Sequence, residues 1–219
     1  MNSHTVFRIA FFVPLILLTG VPADAGEGTV LAGKALVRAL QSGGYNIYFR
    51  HAQTDWSQDD YIDKVDDWTS CDPSRVRQLA DAGRHTSRAI GKAIRALGIP
   101  VGRLFASPYC RTVETATLMN LGPVETTTDI MNLRVAGYFG GREAIVNTAR
   151  QRLGTPPQPG TNTVLVAHGN VARAATNVYP DEAEGAVFSP QGNGRFTFVG
   201  RIKPAQWTAL AKELAASPN

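Results

Sequence analysis

Cysteine is nearly absent from this chain of 219 residues: only Cys71 and Cys110 occur, and neither stands in a C-x-x-C or other metal-ligand spacing. Nothing in the sequence therefore points to a metal site, and the two thiols form either one disulfide or two separate buried groups. Lys/Arg-rich blocks and interleaved aromatic stripes are missing as well. The net charge of +4 thus suits a small anionic substrate, or merely a solvated basic surface, and gives no ground for nucleic acid as a partner. No repeat and no long low-complexity linker divides the chain. The one sustained apolar run, Ile9 to Leu18, is shorter than the roughly 20 residues of a spanning helix and is interrupted by Pro14.

That run has another reading. Arg8 precedes it, and the small residues of Ala23-Asp24-Ala25 follow it before Gly26, which is the pattern of a secretory signal peptide cut after Ala25. Residues 1–25 are expected to be this leader and residues 26–219 a single domain, periplasmic or secreted, with no stable membrane span after cleavage. Removing Arg8 and Asp24 together leaves the net charge of +4 with the mature chain. Export would place Cys71 and Cys110 where a disulfide can form.

Beyond the leader, short apolar runs alternate with longer helical patterns, the signature of an α/β fold with a mainly parallel sheet covered on both faces. Helices are expected at about 28–41, 81–97, 142–153, 170–178 and 204–215. Another should open at Ser107-Pro108, as N-cap and first-turn proline. Strands are expected at 46–49, 103–106 and 163–167, with a short edge strand at 124–127. Two late strands, 186–189 and 195–202, flank the turn Gln191-Gly192-Asn193-Gly194.

Three of the strands end in reactive residues: Arg50-His51, Ser107 to Arg111, and His168-Gly169-Asn170. Ligands of open α/β sheets bind beyond the carboxyl ends of the strands, so this arrangement gathers two imidazoles and two guanidiniums in one crevice. Guanidinium forks match phosphate oxygens, and helix N-termini beside the crevice add free N–H groups. With the phosphate gripped by Arg50, Arg111 and His168, an imidazole nitrogen of His51 can attack phosphorus in line. Neither a metal nor any other cofactor is required.

The run I-Y-F-R-H-A-Q-T-D at Ile47–Asp55 resembles the strand and R-H-G motif of the histidine phosphatase (phosphoglycerate-mutase-like) superfamily, branch 1. S-P-Y-C-R-T-V-E-T-A from Ser107 and V-L-V-A-H-G-N from Val164 resemble its second and third motifs, in order and in strand context. The resemblance implies a three-layer α/β/α sandwich, mostly parallel with one antiparallel edge strand. It also implies that His51 accepts the phosphoryl group, Arg50 and Arg111 grip it, and His168 completes the pocket. Ala52 stands where the family more often has glycine, and its methyl would crowd a turn that needed positive φ.

Family members usually protonate the leaving oxygen with a Glu or Asp, but the segment Leu133–Glu143 lacks the mutases' acidic motif, Glu143 being its only carboxylate. Glu184 is the expected acid, provided the strand after it runs antiparallel, with Asp55 next and Asp72 third. Glu114, three residues after Arg111, should pair with it within the helix. His85 reads as surface. Arg134 and Arg142 either widen the anion site or are ordinary exposed cations. Trp56, Trp68 and Tyr138 line the mouth or fill core beneath loops.

The expected function is hydrolysis of a small phosphomonoester. The segment E-G-A-V-F-S-P at Glu184–Pro190, with the leader, looks most like the bacterial envelope group that includes the lipopolysaccharide core heptose phosphatase, which would make the substrate a sugar phosphate of the envelope. The alternatives are a mutase, a protein phosphohistidine phosphatase, and a non-catalytic phosphate- or phosphosugar-binding module. Export argues against the first two. Retention of a nucleophile argues against the third.

Overall fold

The computed structural model describes residues 30–216, together with Met1. Apart from Met1, the leader expected over 1–25 lies outside the described residues, as do Gly28 and Thr29 of the first expected helix.

The sheet is built outward from two central, buried strands, of which only Arg50 at the end of the first is partly exposed. β1 (Asn46–Arg50) and β4 (Asn162–Ala167) pair in parallel, with Arg50 opposite Ala167. Apart from Asn46, Arg50 and Asn162 at their ends, both are runs of β-branched, aromatic and aliphatic residues, as befits strands covered on both faces. β2 (Val101–Ala106) pairs in parallel with the other side of β4, and the short β3 (Val124–Thr126) closes that edge. On the far side β5 (Gly185–Pro190) runs antiparallel to β1, and β6 (Phe196–Ile202) pairs antiparallel with β5, giving the order β3-β2-β4-β1-β5-β6. The single reversed strand expected from the sequence is therefore β5, with β6 outside it.

Side-chain alternation splits the core in two. Ile47, Phe49, Val164 and Val166 face α1 (Gly33–Ser42), α2 (Asp81–Ala96), α3 (Cys110–Met119) and α6 (Pro204–Ala215). Tyr48, Leu165 and Ala186 face α4 (Arg142–Gly154) and α5 (Gly169–Thr176). The apolar stripe expected on 81–97 is the one α2 buries, through Ile90, Ala93 and Ile94. Gly91 lets α2 approach α3, since a Cβ there would lie 1.8 Å from the Met119 carbonyl oxygen.

Between β1 and α2 the chain makes a long excursion, closed at its base by an antiparallel bridge between Thr54 and Leu79. Cys71 within it is joined to Cys110 at the start of α3, with an S–S distance of 2.00 Å, so the two thiols form a disulfide. The bond ties the excursion to the residue before Arg111. Closing a loop with a sequence separation of 39 residues stabilises the folded chain by about 4 kcal/mol in the chain-entropy picture. Reduction, or Cys71→Ser with Cys110→Ser, should lower unfolding free energy by about 2–4 kcal/mol in denaturant titrations, while the sheet persists by circular dichroism.

Candidate active site

The parallel register of β2, β4 and β1 puts their reactive termini side by side on one rim. The chain continues sheet-like hydrogen bonding one residue past each strand: His51 N donates to Ala167 O at 2.9 Å, and Ser107 N to Val166 O at 3.0 Å. His51 and His168 thus come together with ring centroids 5.7 Å apart, edge to face. This is the pairing expected from the motifs.

The tautomer of His51 follows from its neighbour. Its Nδ1 lies 2.9 Å from the Ala52 carbonyl oxygen, which can only accept, so Nδ1 carries the proton and Nε2 holds a free lone pair. Burial, then the charge of Arg111, pushes His51 well below the ordinary 6.5; the Ala52 hydrogen bond opposes this, and Arg50 and Arg77 reinforce it. The ring is therefore neutral and held in one orientation, with Nε2 available as a nucleophile. Ala52 itself is fully buried, has no positive φ, and donates its N–H to Thr115 Oγ1 at 3.2 Å, so the family's usual glycine is replaced here without backbone strain.

His168 is held through its backbone and through one ring nitrogen. Tyr48 Oη donates to His168 O at 2.8 Å and accepts from His168 N at 3.1 Å, clamping the peptide just beyond β4. Ser107 Oγ meets His168 Nε2 at 3.0 Å. The helix expected to open at Ser107-Pro108 starts instead at Cys110 with Tyr109 as N-cap, so Ser107 is a site residue rather than a cap. Burial, then Arg111, lowers His168 as well. Gly169 lets the Tyr179 ring and Arg50 close over the start of α5: a Cβ there would come within 2.8 Å of that ring and 3.2 Å of Arg50 Cδ, so both would have to shift.

The guanidiniums complete the rim. Arg111 is 1% exposed and lies with Cζ 4.4 Å from the centroid of the Tyr109 ring. Its fork is engaged by Asp60, with Nη1 to Oδ1 at 2.8 Å and Nη2 to Oδ2 at 3.0 Å. The expected pairing of Glu114 with Arg111 is therefore not made: Glu114 lies on the outer side of α3 and accepts from Arg84 Nε at 2.7 Å. Arg50 sits 3.6 Å from Glu182 and 5.4 Å from the centroid of the Tyr179 ring. Arg134 reaches to 3.9 Å from Asp60, whereas Arg142 is exposed at the start of α4.

Among the described residues, Arg111 Nε, Arg77 Nε, Tyr109 Oη and His168 Nδ1 are buried and have no hydrogen-bond partner. Arg111 Nε, Arg77 Nε and Tyr109 Oη are donors; uncompensated buried donors are costly, and an anion with several oxygens would satisfy them.

The carboxylates sort differently from expectation. β5 runs antiparallel, so Glu184 does lie at the His51 end of the sheet, opposite Arg50. Yet its side chain is fully buried and folds back on its own turn: Oε2 accepts from Asp181 N at 2.8 Å and lies 3.8 Å from Arg201. Ala183, at φ 60°, turns the chain between the two glutamates, and its N–H reaches Arg50 O and His51 O, each at 3.2 Å. It is Glu182 that meets Arg50 and, at 3.4 Å, Thr54 Oγ1, lining a depression of about 480 Å³.

Asp55 and Asp72 are held as carboxylates by hydrogen bonds from the side chain and backbone of Ser57 and of Ser74 respectively, which makes them poor acids. Glu143 is exposed in the first turn of α4, and His85 is exposed on α2. Trp56, 64% exposed, stands at the mouth with Arg77 stacked 3.9 Å from its centroid, whereas Trp68 is buried in the core beneath the excursion and packs against half-exposed Tyr138. Asp60, Arg77 and Glu182 lie in irregular segments that no motif covers; the only signal in the sequence was their charge.

On this rim two buried imidazoles stand with the guanidiniums of Arg50 and Arg111, an arrangement whose donors match the oxygens of a phosphate. Residues 47–155 match the model of the histidine phosphatase superfamily (branch 1), and the chain belongs to that superfamily. Among solved structures, the protein histidine phosphatase SixA complexed with tungstate shares the fold (TM-score 0.52, 16% identity, covering 74% of this chain and 97% of that one). Two others are a phosphoserine phosphatase mutant from Entamoeba histolytica (TM-score 0.49, 11% identity, 74% and 98% covered) and a mycobacterial glucosyl-3-phosphoglycerate phosphatase (TM-score 0.48, 16% identity, 71% and 97% covered). No curated protein sequence matches the chain. Among the described residues no group of His, Cys, Asp or Glu side chains is placed to hold a metal ion, and no helix is long and apolar enough to cross a membrane.

The lowered imidazoles have a consequence for stability. Both histidines regain their protons on unfolding at a pH where the folded chain excludes them, so stability is full above about 6.5 and is lost as the pH falls below it. Between pH 7 and 5.5 each contributes a loss on the order of 1 kcal/mol. Urea titrations of His168→Asn should show about half the wild-type pH dependence over that interval.

Proposed function

We propose that this protein is an exported phosphatase that hydrolyses a small phosphomonoester through a phosphohistidine on Nε2 of His51. The reading rests on one observation above all: the Nδ1–H of His51 is committed to Ala52 O, which leaves Nε2 as a lone pair beside buried donors without partners. The phosphate is held by Arg50, Arg111 and the His168 ring. Nε2 attacks phosphorus as the bond to the leaving oxygen breaks, and water then cleaves the P–N bond to release inorganic phosphate and restore the imidazole.

Protonation of the leaving oxygen falls to Glu182, the carboxyl group beside Arg50 at the depression. Glu184, first expected in that role, holds the turn that presents it. The near-complete burial of His51 and His168, at 3% and 2% exposure, favours a small ester over a phosphohistidine on the surface of a folded protein. The disulfide and the leader pattern support an oxidising compartment, periplasmic or extracellular. A sugar phosphate of the cell envelope is the substrate class that the Glu184–Pro190 segment favours.

The test is hydrolysis of an aryl phosphate by residues 26–219, with chelator, across about pH 4–8, beside His51→Ala. Turnover should vanish in the variant, and an acid-labile phosphoryl group should be trapped on the wild type alone. Wild-type protein without turnover would leave the binding-module reading in place. Glu182→Gln should slow an alkyl phosphate by about 10²-fold or more, with little effect on an aryl phosphate that needs no acid. Glu184→Gln should lower stability and, by loosening the turn that presents Glu182, slow the alkyl phosphate more than the aryl phosphate.

A further inference from the structure

The contact that closes the site is internal. Asp60 comes from the excursion between β1 and α2, its side chain is 2% exposed, and both of its oxygens sit in the fork of Arg111. Oδ1 also accepts from Arg77 N at 3.1 Å, and Arg134 Nη1 stands 3.9 Å from Oδ2. A carboxylate in a guanidinium fork makes the same parallel pair of bonds that one edge of a phosphate makes. While Asp60 is seated and Nη1 also reaches Arg77 O at 3.3 Å, Arg111 has only Nε and one N–H of Nη2 left to offer.

Arg77 is the second feature that the proposed reaction does not use. Its side chain donates no hydrogen bond among the described residues, its Nε is buried without a partner, and its guanidinium is laid flat on Trp56. Burial, then the nearby charge of Arg111, lowers its pKa, with Asp60 opposing. Its charge also reaches both imidazoles. An arginine in the field of other guanidiniums, without a side-chain acceptor of its own, is placed for an anion that arrives from outside.

We propose that Asp60 is a displaceable occupant of the phosphate cradle, and that Arg77 is a third arginine of that cradle, which takes the phosphate once Asp60 has left. This rests on Arg111 belonging to a phosphate site, as in the function proposed above. The exchange is favoured by charge: a phosphate dianion brings two negative charges to guanidiniums that Asp60 satisfies with one, and removing Asp60 without a replacement would strand a buried cation. The segment that must yield is lightly held on its outer side, where Tyr61 and Val65 are exposed. Its base stays anchored by the Thr54–Leu79 bridge and by Cys71.

The experiment is calorimetric binding of inorganic phosphate to the disulfide-intact mature chain and two variants. Asp60→Asn should bind phosphate about tenfold more tightly or better, and Arg77→Gln about tenfold more weakly, with Arg77→Lys partly restoring affinity. Weaker or unchanged binding by Asp60→Asn would mean that Asp60 positions Arg111, and would overturn the first half. Unchanged binding by Arg77→Gln would overturn the second. Should Asp60→Asn not fold, the carboxyl ¹³C resonance of Asp60 in the wild type decides: it must move on saturation with phosphate, and a signal that stays put refutes displacement. Binding is read without turnover, so a chain that shows these opposite shifts yet hydrolyses nothing would sink the phosphatase reading and leave this one standing.

Discussion

Positive charge concentrated in a nearly dry rim governs this structure. Arg50, Arg77 and Arg111 all press on the two imidazoles, and burial removes the water that would screen them. Neutral imidazoles follow, since protonating either ring would add charge to a place already in excess. Asp60 is drawn into the Arg111 fork for the same reason. Burial alone would push the Asp60 carboxyl up, yet the hydrogen bonds and charge of Arg111, with the Arg77 amide, hold it below the usual carboxylate range.

The scaffold holds that charge in place with groups that are themselves uncharged. Tyr48 clamps the His168 peptide from β1, Thr115 receives the Ala52 amide from α3, and Ser107 meets the His168 ring from the end of β2. Each is buried and rigid, so the nucleophile and its partner ring keep their separation without spending charged contacts on it. The disulfide extends this support to the excursion that carries Asp60 and Arg77, by tying Cys71 to the residue before Arg111.

Much of this was legible beforehand. The apolar runs of β1, β2 and β4 are strong enough to place strands, and parallel strands covered by helices bring their carboxyl ends to one rim, so Arg50, His51, Arg111 and His168 were found from pattern alone. The turn at Gln191–Gly194 and the late strands were equally plain, because Gly192, Asn193 and Gly194 all take positive φ. Glu184 illustrates the limit. The condition set for it, an antiparallel β5, is met, but a single residue at φ 60° decides which of two nearby glutamates turns toward Arg50, and that residue is an alanine that carries no sign of it.

Taken by itself, the sequence determined the order of strands and helices, the pairing of two imidazoles with two guanidiniums, and the family, because hydrophobic period and motif spacing are local properties of a chain. Only the tertiary structure decided which tautomer His51 adopts, that Cys71 meets Cys110, that Ser107 serves a ring rather than a helix, and that Asp60 closes the Arg111 fork. Each of those depends on which atom a distant segment happens to present, and long-range contacts among irregular loops leave no periodicity to read.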